Sequence, residues 1–162
     1  MRNRFAAPVA SAATAILLLG ACSDDGPTTI AKGEDIELVG SDPDSLGGQT
    51  LQIDVREEDG EVTGEYRVTN IVNTVECVDT DTEGYVVLGG KVTTTDPDAE
   101  LAPAVGDLSA LVIREGDPDS VMLYGNDGGA ETCAELIESI PADTLTSDSA
   151  YVNVVSGDIE TG

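Results

Sequence analysis

Residues 51–68 have the sequence LQIDVREEDGEVTGEYRV, and this stretch decides the fold class. Apolar and polar side chains alternate on both sides of Asp59-Gly60, and a period of two residues is typical of a strand with one buried face. Asp-Gly between two such runs is typical of a two-residue hairpin turn, because both turn residues take a positive φ. Gly64 inside the second run indicates a bulge or a close approach of another backbone. The stretch therefore predicts an antiparallel hairpin.

Short β-type runs recur on both sides of this hairpin, separated by clusters of Gly, Pro and Asp. They are Ile36–Val39, Ile71–Val78, Tyr85–Val92, Leu108–Arg114, Val121–Tyr124 and Ala150–Val155. Many short strands joined by such turns are typical of an antiparallel sheet that packs on itself. We therefore predict an all-β fold, with one antiparallel β-sandwich or barrel-like domain.

One segment, near residues 131–140, has a helical period instead. Cys133, Leu136, Ile137 and Ile140 follow the spacing i, i+3, i+4 and i+7, and a proline comes directly after them. This spacing predicts a short amphipathic helix with Cys133 on its buried face.

The N-terminus has the features of an export signal. A short basic start over Met1–Arg4 precedes an apolar stretch over Phe5–Gly20, as in secretory signal peptides. Leu19-Gly20-Ala21-Cys22 resembles a bacterial lipobox, which implies cleavage before Cys22 and lipid attachment to its thiol. The alternative is an ordinary secretory signal with a chance cysteine after it.

The lipobox reading divides the chain into three parts. We expect a lipoprotein signal peptide over 1–21, a flexible tether over 22–34 and an acidic β-domain over 35–162. The membrane partner would be bound through the acyl chains, each buried CH₂ contributing about 0.8 kcal/mol. The expected location is the bacterial cell envelope, on the extracytoplasmic side of a membrane.

Acylation of Cys22 would leave two thiols, Cys77 and Cys133. An exported compartment permits disulfides, so we predict that these two cysteines pair. The closed loop of about 57 residues would stabilise the fold by about 4 kcal/mol in the chain-entropy model. The alternative is two separate buried thiols.

Charge and composition exclude several classes of function. The 162 residues include 32 acidic and 7 basic side chains, a formal charge of −25, and no histidine. Loss of Arg2 and Arg4 with the signal peptide would leave 32 acids against 5 bases, or −27. Such a chain repels phosphate backbones, so we expect no nucleic-acid partner. Without histidine there is no Ser-His-Asp or Cys-His catalysis and no imidazole zinc site. We predict no catalytic residue, no metal ligand and no cofactor.

Carboxylates remain the one abundant reactive group, and they leave two alternatives open. Asp117 and Asp119, or Asp96 and Asp98, could offer oxygen ligands to calcium, although Asp-Pro-Asp is also ordinary turn chemistry. Paired carboxylates can hydrolyse glycosides, but such sites usually contain aromatic platforms, and this chain has four tyrosines and no tryptophan. The alternatives are thus a calcium-dependent binding module and a carboxylate-based hydrolase.

Residues 48–160 resemble a secreted bacterial β-domain of unknown function, as found in exported proteins of actinobacteria and other soil or marine bacteria. The resemblance rests on Gly60, Gly64, Val75–Val78, Gly84–Thr93, Leu111–Gly116 and Gly157–Ile159. The family usually has an acidic-Asn-Gly turn after the strand that matches Leu111–Ile113, and this chain departs from it with Arg114-Glu115-Gly116-Asp117. The resemblance implies an all-β fold and no catalytic residues.

These observations together predict a non-catalytic module of the envelope or of the extracellular space, anchored by lipid at Cys22. Its role would be binding or structural. We expect an unknown protein or glycan partner, with at most weak binding of divalent cations.

Overall fold

A computed structural model describes residues 26–39, 48–80, 82, 84–95, 103–127 and 129–162. These residues form nine β-strands, two short α-helices and one 3-10 turn. The strands are β1 (Thr28–Leu38), β2 (Thr50–Glu58), β3 (Glu61–Val68), β4 (Ile71–Asp79), β5 (Tyr85–Thr94), β6 (Leu108–Arg114), β7 (Ser120–Gly125), β8 (Val152–Ser156) and β9 (Glu160–Thr161). The helices are α1 (Cys133–Ser139) and α2 (Ala142–Thr146), and the 3-10 turn covers Asp148–Ala150.

The nine strands form one antiparallel sheet that closes on itself. Each strand from β1 to β7 pairs with the next along the chain, and β1 also pairs with β8 and with β9. The predicted all-β antiparallel fold is confirmed. Of the sandwich and barrel-like arrangements, the strand pairing gives a closed ring, although its closure is uneven. β7 meets β8 only through Ser120↔Asn153 and Val121↔Val152.

The hairpin predicted over residues 51–68 is formed by β2 and β3. Its register runs from Leu51↔Val68 to Glu58↔Glu61 without a shift, and Asp59 and Gly60 both have a positive φ. Gly64 lies at a close approach rather than at a bulge, because a methyl group there would overlap the carbonyl oxygen of Asp54.

Apolar side chains fill the inside of the ring. The buried cluster contains Ile30, Ala31, Ile36, Leu38, Leu51, Ile53, Val55, Tyr66, Val68, Val75, Val86, Leu88, Leu111, Ile113, Val121, Val154 and Ile159. Burial of a side chain of this size contributes about 1.5–3 kcal/mol. The inside of the ring is therefore the main source of stability.

A second core lies outside the ring, where the helices cover β5, β6 and β7. Its buried members are Val87, Leu108, Ala110, Val112, Met122, Leu136, Ile140 and Tyr151. β6 is consequently buried on both faces. The helix predicted near 131–140 is confirmed as α1, with Cys133 on its buried face. Its N-terminus is fixed by a capping box between Thr132 and Glu135.

The predicted tether over 22–34 and the domain start at residue 35 need correction. β1 begins at Thr28 and pairs with β2 from Thr28↔Glu57 onward, so residues 28–34 belong to the sheet. The signal peptide over 1–21 and the lipid site Cys22 lie outside the described residues. In the described part of the chain, no helix is long and apolar enough to cross a membrane.

Candidate functional site

An open cavity of about 620 Å³ lies at one end of the ring. This is the end where β3 turns into β4, where β6 begins and where β7 finishes. Its walls include the apolar side chains Val68, Ile71, Leu108 and Leu123. We call this space the ring-end cavity. It adjoins the part of β7 beyond Val121, which has no pairing with β8, so the cavity lies where the ring is least closed.

Three buried polar side chains form a hydrogen-bonded chain beside this cavity. Tyr66 on β3, Ser109 on β6 and Asn73 on β4 are 0%, 9% and 2% exposed. The Tyr66 hydroxyl lies 2.9 Å from Ser109 Oγ, and Ser109 Oγ donates to Asn73 Oδ1 at 2.6 Å. Serine has one hydroxyl proton, so Ser109 must accept from Tyr66 if it donates to Asn73. We call these three residues the polar chain.

The strand pattern explains why the polar chain faces inward. Tyr66 and Asn73 are directly opposite each other in the β3–β4 pairing, so their side chains lie on the same face of the sheet. Ser109 alternates on β6 with Leu108 and Ala110, which belong to the outer core, and therefore faces inside. Tyr66 extends across the ring, and its hydrogen bond with Ser109 connects β3 to β6, which are not neighbours in the sheet.

Burial fixes the protonation state of Tyr66. Desolvation raises the pKa of its hydroxyl well above the ordinary tyrosine value of 10.0, and the hydrogen bond with Ser109 offsets only part of this effect. Tyr66 is therefore a neutral donor at physiological pH, which keeps the direction of the polar chain constant.

Asn73 and Ser109 both line the ring-end cavity. Asn73 Oδ1 already accepts from Ser109, and within the described ranges no residue accepts a hydrogen bond from Asn73 Nδ2. The floor of the cavity thus offers an amide donor. Leu123 on the wall is 37% exposed, so apolar surface is also accessible to a ligand.

The rim of the cavity is acidic. Asp107, Asp127 and Glu131 line it together with one basic residue, Lys91. Lys91 Nζ is 3.0 Å from Glu76 Oε1, so its charge is already paired. The rim disfavours an anionic ligand, because like charges repel and a buried anion loses its hydration.

The predicted calcium residues are used differently. Asp117 and Asp119 lie in the β6–β7 turn at the opposite end of the ring, and Asp119 Oδ1 accepts from the backbone N–H of Gly116 at 3.0 Å. This bond is the turn chemistry that the sequence also allowed. Asp96 and Asp98 lie outside the described residues. Among the residues that the structure does describe, no group of three or more His, Cys, Asp or Glu side chains could hold a metal ion.

The predicted disulfide is present in the structure. Cys77 on β4 and Cys133 at the start of α1 are bonded, with their Cα atoms 6.0 Å apart and 56 positions apart in sequence. Gly89 on β5 makes room for this bond, because a Cβ there would lie 2.6 Å from Cys133 Sγ. The disulfide therefore fixes α1 over the outer face of the ring.

Sequence patterns alone did not predict the residues of the ring-end cavity. Tyr66, Asn73 and Ser109 come from three strands, and only the ring closure brings them together. A signal existed at Asn73, which alternates in step with Ile71, Val75 and Cys77, and at Ser109, which alternates in step with Leu111 and Ile113. A polar residue inside a largely apolar strand is either paired or exposed to a cavity.

Comparisons of this chain with protein-family models, with curated proteins and with solved structures gave no match. The resemblance to secreted actinobacterial β-domains and to lipobox proteins therefore stays a prediction. The candidate site depends on the geometry of this chain alone.

Proposed function

We propose that the protein is a non-catalytic, lipid-anchored binding module on the extracytoplasmic side of a membrane, and that its ligand site is the ring-end cavity. The observation that carries this proposal is a cavity of about 620 Å³ with a buried amide donor at its floor. Ligand sites in proteins are typically concave, mostly apolar and supplied with a few fixed polar groups. The ring-end cavity is concave, has apolar walls at Val68, Ile71 and Leu123, and has fixed polar groups at Asn73 and Ser109.

The polar chain supports binding rather than a purely structural role for the cavity. Asn73 Nδ2 donates to no residue in the described part of the chain, and it is not among the buried polar atoms that lack a partner, so this donor opens to the cavity that Asn73 lines. A ligand oxygen would accept from Nδ2 in place of water. Tyr66 and Ser109 hold the amide in place, so little side-chain freedom would be lost on binding.

Composition and the disulfide support a non-catalytic role and an extracytoplasmic location. The chain has no histidine, and Cys77 and Cys133 are joined in a disulfide, so the two strongest nucleophilic systems of hydrolases are missing from the site. A disulfide is typical of proteins in oxidising, extracytoplasmic compartments. The lipid anchor rests on the lipobox-like sequence that ends at Cys22.

Binding of a neutral, water-soluble probe tests the proposal. Benzyl alcohol is titrated against the full chain, and saturation-transfer NMR measures its dissociation constant. Leu123→Glu places a charge in the cavity wall, and loss of about 1 kcal/mol of apolar contact would weaken binding about fivefold. The control is Val155→Glu, which adds the same charge at an exposed valine of β8 outside the cavity lining.

The control variant should bind the probe as the unchanged protein does. Two results would contradict the proposal. One is the absence of saturable binding at accessible probe concentrations. The other is equal weakening by Leu123→Glu and Val155→Glu, which would mean that the probe associates with the protein surface in general.

A further inference from the structure

The polar chain sets the orientation of the Asn73 amide. With Oδ1 toward Ser109, the proton of Ser109 has an acceptor in Asn73, and the proton of Tyr66 has an acceptor in Ser109. With the amide turned over, Nδ2 would donate to Ser109 and Ser109 to Tyr66. The Tyr66 proton would then have no acceptor among the described residues. Only the first arrangement satisfies both buried hydroxyl groups, so the –NH₂ end is the part that remains for a ligand.

A donor at the floor selects for an acceptor atom on the ligand. A carbonyl or hydroxyl oxygen accepts from an amide N–H at about 2.9 Å. An ammonium group offers only donors, so it would meet the positive end of the N–H dipole. The floor therefore disfavours a cationic group at the depth of Asn73.

A carboxylate also accepts hydrogen bonds, but this cavity offers it no counter-charge. Lys91 is the single basic residue that the described part of the chain contributes to the lining, and its Nζ is 3.0 Å from the carboxylate of Glu76. The other charged residues of the lining are Asp107, Asp127 and Glu131. An anion would pass these acids and lose its hydration without gaining an ion pair.

We infer that the ring-end cavity binds neutral molecules that combine an apolar body with a carbonyl or hydroxyl oxygen, and that this oxygen accepts from Asn73 Nδ2. The inference rests on the proposed function and names its ligand class. The apolar body would lie against Val68, Leu108 and Leu123, which line the same cavity. The rim disfavours anionic molecules of the same shape, and the floor disfavours a cationic group at the depth of Asn73.

Three probes of one shape test the inference. Benzamide is neutral, benzoate is its anionic counterpart of nearly equal shape, and benzylammonium is cationic. Each is titrated against the full chain in nanodiscs of zwitterionic lipid at about 150 mM salt, which screens distant charges, and empty nanodiscs correct for partitioning. We expect benzamide to bind in a saturable manner and each charged probe to bind about tenfold more weakly.

Substitution of Asn73 gives the sharper contrast. Asn73→Asp replaces the donor by a carboxylate oxygen at nearly constant shape, so the preference should change from benzamide to benzylammonium. Asn153→Asp is the matched control, because Asn153 is an exposed asparagine of β8 outside the cavity lining. Its probe preference should equal that of the unchanged protein. Far-UV circular dichroism establishes that each variant is folded. If Asn73→Asp does not fold, the three-probe comparison on the unchanged chain still tests the inferred ligand class.

The outcomes separate the two proposals. Benzoate or benzylammonium binding as tightly as benzamide in the ring-end cavity would overturn the inferred ligand class and leave the binding function standing. An unchanged preference in folded Asn73→Asp would overturn the role of the amide donor. Failure of all three probes, together with benzyl alcohol, would overturn the binding function itself.

Discussion

Ser109→Ala is the substitution that tests the polar chain most severely. The serine hydroxyl connects Tyr66 to Asn73, at 2.9 Å and 2.6 Å, inside a ring where Tyr66 is 0% exposed. Alanine removes this link and leaves the Tyr66 hydroxyl and Asn73 Oδ1 without partners. Each unsatisfied buried group costs about 1–3 kcal/mol. Water in the cavity can reach Asn73, so we expect a total loss of about 2–4 kcal/mol.

Tyr66→Phe should cost less, because it removes one hydroxyl and leaves Ser109 bonded to Asn73. We expect a loss of about 1 kcal/mol. In the double variant no tyrosine hydroxyl is present, so the alanine at position 109 leaves only Asn73 Oδ1 without its partner. The double variant should therefore lose about 1 kcal/mol less than the sum of the single variants.

Equilibrium unfolding in urea at pH 7, followed by far-UV circular dichroism with the disulfide intact, gives these free energies. Ser156→Ala, at an exposed serine of β8, is the control and should change stability by less than about 0.5 kcal/mol. A loss for Ser109→Ala as small as that of the control, or simple addition of the effects of the two buried substitutions, would disprove the stabilising role of the polar chain.

Three other predictions concern the rest of the molecule. Replacement of Cys77 and Cys133 by serine should lower the free energy of unfolding by about 4 kcal/mol and Tm by about 10–20 °C in calorimetry, because the bond spans 56 positions; unchanged Tm would contradict the role assigned to the disulfide. The free energy of unfolding should be level between pH 7 and 9 and fall above pH 10, since burial raises the pKa of Tyr66 and raises that of Tyr151 to about 12. The unfolded chain loses these tyrosine protons at a lower pH than the folded chain, so deprotonation favours unfolding. Tyr66→Phe should make the decline of the unfolding free energy with pH shallower, as measured by urea unfolding at several pH values. An equal decline in the variant and the unchanged protein would contradict this. Mass spectrometry of the native product should find a diacylglyceryl group on a peptide that begins at Cys22, and a soluble protein lacking Cys22 would disprove the anchor.

Most of the ring was predictable because local patterns decide it. The alternation in residues 51–68 requires one face to be buried, and Asp59-Gly60 fits the turn between the strands. The helical spacing from Cys133 to Ile140 predicted α1 for a similar reason. These signals come from neighbouring residues, so no information about the closed ring is needed to read them.

The start of β1 was not predictable in this way. Register shifts between Thr29 and Ala31, and between Gly33 and Ile36, interrupt the pairing of β1 with β2. Ala31 and Gly33 are buried, yet neither has a large apolar side chain. The alternation is therefore too weak to distinguish this segment from a flexible tether.

The ring-end cavity was even less predictable from the sequence than the start of β1. Tyr66 and Ser109 are 43 positions apart, and they meet only because the ring places β3 opposite β6. Strand patterns identify which side chains face inward, but they do not determine which strands lie across from each other. The polar residues Asn73 and Ser109 could be noticed as exceptions, although their partners could not be assigned.

The most direct test of the ring-end cavity as the ligand site is a ¹H–¹⁵N NMR titration of the full chain with benzyl alcohol that follows the side-chain amide of Asn73. We expect a saturable shift of this amide, with further shifts confined to the lining around Ser109 and Leu123 and none in the β6–β7 turn at Asp117 and Asp119. Saturable shifts that cluster at that turn, with the Asn73 amide unmoved, would contradict a ligand site in the ring-end cavity.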